Sequence, residues 1–158
     1  MAWTDPKTDW ITGELMTAEN MNAVGENLET LKNPASAVYT TTADIDADIR
    51  EFADVDSDNL NLTITTAGGD VLVHFSGSVE FANHRWVDFD IEVDGNRLGG
   101  VDGILRRHFV HAVGRDIVTF SRLIQDLSAG SHTFKLQWKQ NGSARMLSHA
   151  QYWVREIS

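Results

Sequence analysis

Much of the chain alternates between apolar and polar residues with a period of two. The stretches NLTIT (61–65), VDFDIEV (87–93) and TFKLQWK (133–139) each place apolar side chains on one face and polar side chains on the other. Successive side chains of a β-strand point to opposite faces, so this pattern predicts strands with one buried and one solvent-facing side. The acids of VDFDIEV are expected on the wet side, with Arg106 and Arg107 as candidate counter-cations. The predicted strands are 38–42, 49–55, 60–66, 71–81, 86–93, 104–113, 117–123, 133–139 and 145–157.

Turn-forming residues punctuate these strands at short intervals. Gly68-Gly69 and Ala129-Gly130 mark turns, and Asn141-Gly142 is the clearest two-residue hairpin signal. No segment of helix length separates the strands, which argues against a parallel α/β sheet. The pattern therefore predicts an all-β, antiparallel sandwich of about eight strands over residues 36–158. Its predicted core consists of inward-facing residues, namely Leu62, Ile64, Val73, Phe75, Phe89, Ile91, Phe134 and Leu136.

Residues 1–35 follow a different pattern and form a leader to the sandwich. A helix is predicted over about 17–32, because Thr17 suits the N-cap and the residue before Pro34 avoids the α conformation. Apolar residues recur along this helix at spacings of three and four and make a single stripe of Met21, Val24, Leu28 and Leu31. An isolated helix of roughly 15 residues is marginal in water, so the stripe must pack against something. Either it folds back onto its own domain, or it meets other copies or a larger assembly.

The first 16 residues carry large apolar side chains without helical spacing, namely Trp3, Trp10, Ile11 and Leu15. Such a segment is too apolar to leave in water without a partner. Buried aromatic residues dominate the binding energy of many protein interfaces. These four residues therefore favour the second interpretation, in which the leader docks on a partner and the stripe serves oligomerisation.

Charge and composition exclude several classes of protein. The formal net charge of −10 argues against nucleic-acid or anionic-membrane binding, which needs clustered Lys and Arg. The chain has no cysteine, so it has neither disulfides nor thiolate metal sites. No apolar run approaches the ~20 residues of a membrane span, and the first residues do not form a signal peptide. We therefore expect no nucleic-acid partner, no membrane insertion and no Sec export.

Candidate chemistry is sparse. Asp54, Asp56 and Asp58 occupy positions 1, 3 and 5 of a calcium-loop pattern, but the turn glycine and the bidentate glutamate of that pattern are missing. A solvated loop is the favoured interpretation, and we expect neither a metal nor a cofactor. The motifs of nucleophile elbows, zinc proteases, P-loops and dinucleotide-binding folds do not occur, so we expect no enzymatic activity.

Two parts of the sequence resemble virion proteins of tailed phages and prophages. In the leaders of many such proteins, a Trp-x-x-Gly-Glu-Leu-x-Thr-Ala segment leads into an Asn-rich helix and a terminal Asn-Pro. The matching residues here are Trp10, Gly13, Glu14, Leu15, Thr17, Ala18, Asn20, Asn22, Asn27, Leu28, Leu31, Asn33 and Pro34. The strand pattern is similar to jelly-roll domains of the complement-head and tumour-necrosis-factor type in the stretches GGDVLVHFSGSV (68–79), FDIEVDG (89–95), LSAGSHTFKLQW (127–138) and YWVREI (152–157).

The resemblance implies a structural protein of a phage particle, attached by its leader and displaying a jelly roll for assembly or host adsorption. Such jelly rolls are commonly trimeric, which implies a homotrimer that contacts other phage structural proteins. The chain lacks the long repetitive shaft of a typical fibre, so the resemblance is compatible with a tail fibre or tail tip and with a capsid decoration protein. A protein of this kind is made in the host cytoplasm without a signal peptide and resides in the virion.

A carbohydrate-binding module is the hypothesis from a different class. Sugar binding favours exposed aromatics on one sheet face or at loop tips, and the candidates are Trp86, Tyr152 and Trp153. The same residues serve equally well at a subunit interface. A glycan of the host surface is thus a further partner that the sequence leaves open.

Overall fold

A computed structural model of the chain describes residues 17–18, 21–25, 34–47, 50–82, 86–108 and 113–157. Twelve strands lie in these residues. They are β1 (Ser36–Thr40), β2 (Ile45–Ala47), β3 (Ala53–Asp54), β4 (Asn61–Thr66), β5 (Gly69–Ala82), β6 (Trp86–Val93), β7 (Asn96–Arg97), β8 (Leu105–His108), β9 (Val113–Leu127), β10 (Gly130–Gln140), β11 (Ala144–Met146) and β12 (Gln151–Glu156).

The strands form two antiparallel sheets of six strands each. In the first sheet, the long strand β5 pairs with β9 along one edge and with β12 and β11 along the other. Strand β1 continues beyond β12, and β2 continues beyond β11. In the second sheet, β10 pairs with β6; β3 and β4 flank β10, and β7 and β8 flank β6. The chain passes repeatedly between the two sheets, as in a jelly roll, and the predicted all-β fold class is confirmed.

The core lies between the sheets and is built from the inward-facing residues of the alternating strands. All eight residues predicted for the core are buried, so this prediction is confirmed. Aromatic rings join the two layers: Phe75 of β5 stacks on Phe89 of β6 with ring centroids 5.5 Å apart, and Phe120 of β9 lies 6.1 Å from Phe89. Ring contacts of this kind add stabilisation beyond the buried area.

Asp94-Gly95 makes a hairpin, whereas the predicted Asn141-Gly142 turn does not. Asp94 and Gly95 join β6 to β7 with φ angles of 50° and 85°, the left-handed conformations of a type I′ turn. The hairpin predicted at Asn141-Gly142 is wrong, because β10 belongs to the second sheet and β11 to the first. The dipeptide reverses the chain locally, whereas pairing depends on which sheet edge is open to the next strand. Here that edge belongs to β5.

Some predicted strand limits also differ from the structure. The single strand predicted over 145–157 is two strands, β11 and β12, which both pair with β5. The break between them contains His149 at a φ of 71°, and its backbone N–H donates to the Thr41 carbonyl. The short strands β2 and β7 were not predicted, because two or three residues carry no recognisable alternation.

The leader is described only in part. Ala18 and residues 21–25 are helical, and the Met21 N–H donates to the Thr17 carbonyl at 3.1 Å, as expected for a helix that begins at Thr17. Met21 and Val24 are 59% and 44% exposed. The rest of the predicted helix, including Leu28 and Leu31, lies outside the described residues. No helix of the described part of the chain is long and apolar enough to span a bilayer.

Candidate functional site

The outer face of the second sheet carries a buried ionic layer. Asp88 and Asp90 of β6 point away from the core, as the apolar–polar alternation of this strand predicts, yet both are fully buried. The expectation that they lie on a wet face is therefore wrong. The residues that follow β6 fold back over it: the Ile104 N–H donates to the Phe89 carbonyl, and β8 pairs with β6. Burial of a carboxylate requires ionic partners and hydrogen bonds, and both acids have them.

Asp88 is held by two cations. Arg106 donates to it through Nε at 2.6 Å and through Nη2 at 2.7 Å, and the Lys139 ammonium lies 3.5 Å away. Arg106 also pairs with the more exposed Asp102 at 2.6 Å. These bonds, chiefly the one to Asp88, raise the pKa of Arg106 above its ordinary value. Of the two predicted counter-cations, Arg106 therefore pairs with this strand, whereas Arg107 pairs with Asp116.

Asp90 fixes the loop after β7. It accepts hydrogen bonds from the backbone N–H of Ile91 at 2.8 Å and of Gly99 at 2.9 Å, and from Arg97 Nε at 2.8 Å. Arg97 also donates to the Gly100 carbonyl at 2.6 Å. A buried carboxylate with three donors, one of them cationic, is well satisfied. The loop is thus tied to the sheet at several points.

Two aromatic rings alternate with the cations of this layer. The Arg97 guanidinium lies 3.7 Å from the ring centroid of Phe52, and that of Arg106 lies 4.4 Å from Trp86. The Lys139 ammonium lies between them, 4.8 Å from the Phe52 ring and 5.6 Å from the Trp86 ring. Cation–π attraction favours all of these contacts. Trp86, a predicted ligand or interface aromatic, therefore packs on the ionic layer and is half-buried.

A second polar group extends the layer towards β3. Gln137 of β10 donates through Nε2 to Asp54 at 2.9 Å and to Glu92 at 2.8 Å, and Lys135 lies 3.3 Å from both acids. Hydrogen bonds to Glu92 and then to Asp54 raise the pKa of Lys135. The Gln137 Oε1 atom is buried and has no hydrogen-bond partner among the described residues. It is therefore an acceptor without a donor in the part of the chain that the structure describes.

These side chains border an open cleft of about 480 Å³ on the second sheet. We call it the second-sheet cleft, and its lining residues are Arg50, Glu51, Phe52, Glu92, Arg97, Val101, Gln137 and Lys139. Sequence reasoning missed Phe52, Arg97, Gln137 and Lys139, which come from three separate segments. The alternation of β10 placed Gln137 and Lys139 on the outer face, but no signal pointed to Phe52.

The outer face of the first sheet is different. Trp153 of β12 stacks on His74 of β5 with ring centroids 5.0 Å apart, and His74 Nδ1 lies 2.8 Å from the Ser121 hydroxyl. Val38 of β1 pairs with Trp153 and is 67% exposed, and Ile117 of β9 is 71% exposed. We call this surface the first-sheet apolar face. Trp153, a predicted surface aromatic, lies on it beside a shallow cleft of about 260 Å³.

The other predicted site residues lie elsewhere. Tyr152 faces the core and is fully buried, so the prediction of a surface aromatic is wrong there; burial raises its pKa. Asp56 accepts hydrogen bonds from the backbone N–H groups of Asp58 and Asn59 in a local turn. Asp54 instead faces Gln137 and Lys135.

No group of three potential metal ligands occurs among the described residues. The predicted docking residues Trp3, Trp10, Ile11 and Leu15 lie outside the described residues.

One histidine has a fixed environment near the start of β10. His132 is buried, its Nδ1 lies 2.7 Å from an Asp94 carboxylate oxygen, and its Nε2 lies 2.8 Å from the Ser128 carbonyl. Both neighbours accept hydrogen bonds, so the arrangement favours an imidazolium that donates from both nitrogens. The bond to Asp94 raises the pKa of His132, and the same bond, with the Thr133 N–H, lowers the pKa of Asp94.

Comparison with protein-family models and with curated protein sequences gives no match. Among solved structures, the chain is similar to Eiger TNF from S. frugiperda, with 10% identity over 80% of this chain and 94% of that one and a TM-score of 0.42. It is also similar to a pentameric capsid protein from metagenomic phage sequences, with 17% identity over 92% and 78% of the two chains and a TM-score of 0.29.

A third similar structure is dimeric latent PorU from Porphyromonas gingivalis, with 12% identity over 78% of this chain and a TM-score of 0.39. The chain spans only 13% of the length of PorU. The structures similar to this chain thus include a TNF jelly roll and a phage capsid protein. Identities this low concern the general fold and say nothing about function.

Proposed function

We propose that this protein is a structural component of a bacteriophage particle, docked through residues 1–35 and displaying its β-sandwich for particle assembly or host adsorption. The leader motif from Trp10 to Pro34 is one basis of the proposal. The observation that carries it is that Met21 and Val24 of the leader are exposed. Exposed apolar residues of the leader suit a partner.

Self-association, as a homotrimer, belongs to the same proposal. The first-sheet apolar face supports it, because Val38 pairs with Trp153, Leu123 pairs with Leu72, and Ile117 is exposed farther along the same face. Exposed apolar side chains on one sheet face suit an interaction surface. Ile117→Lys should weaken self-association in analytical ultracentrifugation without unfolding the monomer. Val101→Lys, at an 82% exposed residue beside the other sheet, is the matched control. Equal association of both variants and the parent would contradict this interface.

Deletion of residues 1–34 tests the attachment. We expect the truncated chain to keep its fold and most of its thermal stability, yet to fail to join particles that lack the protein. Trp10→Ala in the full chain should weaken attachment, whereas Asp58→Ala, at an exposed loop residue, should not. If the truncated chain binds as well as the full chain, attachment runs through the sandwich and the leader is only a strap across its own domain.

The location in the particle follows from the same experiment. A tail fibre or tail tip protein would bind isolated tails, and a capsid decoration protein would bind isolated heads. We favour the tail, where a displayed sandwich serves adsorption. Exclusive binding to heads would replace this assignment with the decoration role and leave the structural role unchanged.

A further inference from the structure

Gln137 supplies the starting point, because it is only 6% exposed and lines the second-sheet cleft. Its Nε2 faces the carboxylates of Asp54 and Glu92, which accept hydrogen bonds, so the amide nitrogen and oxygen are not interchangeable. The orientation leaves Oε1 without a donor among the described residues. An unpaired buried acceptor costs free energy, and because Oε1 has almost no accessible surface, a ligand hydroxyl would meet it after the Gln137 amide shifts towards the cleft.

The rest of the cleft is polar and well held. Arg97 is bound to Asp90, and Lys139 donates to the Val101 carbonyl and lies beside Asp88. The volume of about 480 Å³ is in the range of small-ligand sites. Phe52 adds one aromatic ring to a lining of hydrogen-bonding groups. The site thus offers fixed donors and acceptors side by side with one apolar surface.

Charge decides which polar ligand fits. The two best-held cations already have fully buried carboxylates as partners, Arg97 with Asp90 and Lys139 with Asp88. Arg50, which is exposed and donates to Asn141, is the further cation of the lining, and Glu51 and Glu92 in the same lining would repel a phosphate or carboxylate ligand. An uncharged ligand whose groups both donate and accept matches the lining better. Hydroxyl groups do both.

We infer that the second-sheet cleft binds a neutral saccharide. Assigning this saccharide to the surface of a host cell rests on the proposed function, whereas the binding itself does not. Within the proposed function, the cleft would give the displayed sandwich its recognition site, on the sheet opposite to the first-sheet apolar face.

Titration of the ¹⁵N-labelled full chain with glucose, galactose, rhamnose and N-acetylglucosamine, followed by amide chemical shifts, tests the inference. We expect at least one of these sugars to shift amides of residues 50–52, 97–101 and 137–139. Phe52→Ala and Arg50→Ala should each weaken the affinity for that sugar by about tenfold or more. Because Arg50 is exposed, the Arg50→Ala variant should fold even if Phe52→Ala disturbs the loop. Trp153→Ala, on the opposite sheet, should leave the affinity unchanged.

The inference would be overturned if none of the four sugars changed the amide chemical shifts, or if the changed shifts clustered outside the cleft. So would binding of inorganic phosphate, glucuronate or a short peptide alone, or unchanged affinity in both cleft variants. Failure of the truncated chain to join particles is independent of these results. Sugar binding without particle attachment would contradict the phage role only, and attachment without sugar binding would contradict the saccharide site only.

Discussion

The His132–Asp94 pair predicts that stability depends on pH in a way that one substitution removes. His132 is buried, and its ring nitrogens lie 2.7 Å from Asp94 and 2.8 Å from the Ser128 carbonyl, two acceptors that favour the doubly protonated ring. Hydrogen bonds to charged groups contribute about 1.5–3 kcal/mol. Asp94 is 43% exposed, so solvent screens the ionic part. We therefore expect His132→Gln to lower the free energy of unfolding by about 1–2 kcal/mol at pH 5.

The sign of the pH dependence follows from the two pKa shifts. The pKa of His132 is raised by folding, so its contribution is fully present below its unfolded value and is lost as pH rises through the folded pKa. The pKa of Asp94 is lowered, so its contribution is present above its unfolded value and is lost as pH falls through the folded pKa. The pair thus stabilises the protein most between about pH 4 and 6.5.

Urea denaturation of the parent and of His132→Gln from pH 4 to 9 measures the effect. The other five histidines are present in both proteins, so only the difference between the two unfolding free energies is diagnostic. We expect that difference to shrink as pH rises above 6.5. Asp94→Asn keeps an acceptor for the Thr133 N–H, now bonded at 2.8 Å, and should show the same loss of pH dependence. A difference that stays constant from pH 5 to 9 would refute the reasoning.

Three further substitutions probe the core and one turn, each by equilibrium denaturation. Phe89→Ala removes a fully buried ring that stacks on Phe75 and should cost about 3–5 kcal/mol; a loss below ~1 kcal/mol would contradict its place in the core. Tyr152→Phe removes a buried hydroxyl with no hydrogen-bond partner among the described residues and should be neutral or stabilise by up to ~1 kcal/mol. A clear loss would show that the hydroxyl has a partner. Gly103→Ala places a Cβ 2.4 Å from the Phe89 carbonyl oxygen at a φ of 69° and should destabilise by more than about 1 kcal/mol, so unchanged stability would contradict this loop conformation.

Strict alternation made part of the fold predictable. The predicted strand 86–93 has the limits of β6, and β4, β5 and β10 lie within a few residues of their predicted limits. Each of these strands has one mainly apolar face, so its side-chain pattern decides which face is buried. The pairing of strands could not be predicted from the alternation. Which sheet a strand joins depends on the open edge it meets, and for this reason the hairpin predicted at Asn141-Gly142 does not form.

The candidate site was predictable only in fragments. The apolar–polar alternation placed Trp86 on the outer face of its strand, and Arg106 was predicted as a counter-cation. The burial of Asp88 was not foreseen, because its cover comes from residues distant in sequence. Phe52 and Lys139 are 87 positions apart and meet only when the 50–52 segment crosses β10. Residues that come together only in the folded protein leave no recognisable pattern in any one stretch of the sequence.

The two outer faces of the sandwich differ in what association would gain. Burial of the exposed groups on the first-sheet apolar face, such as Val38 and Ile117, gains about 25 cal/mol per Å² of apolar surface. On the second sheet, the cations are already paired with Asp88 and Asp90, so covering them adds desolvation cost with few new bonds. Self-association through the first sheet is therefore favoured, and it leaves the second-sheet cleft facing solvent. A particle that displays several copies in this way would present several clefts at once, which raises avidity for a repeated glycan without any new contact.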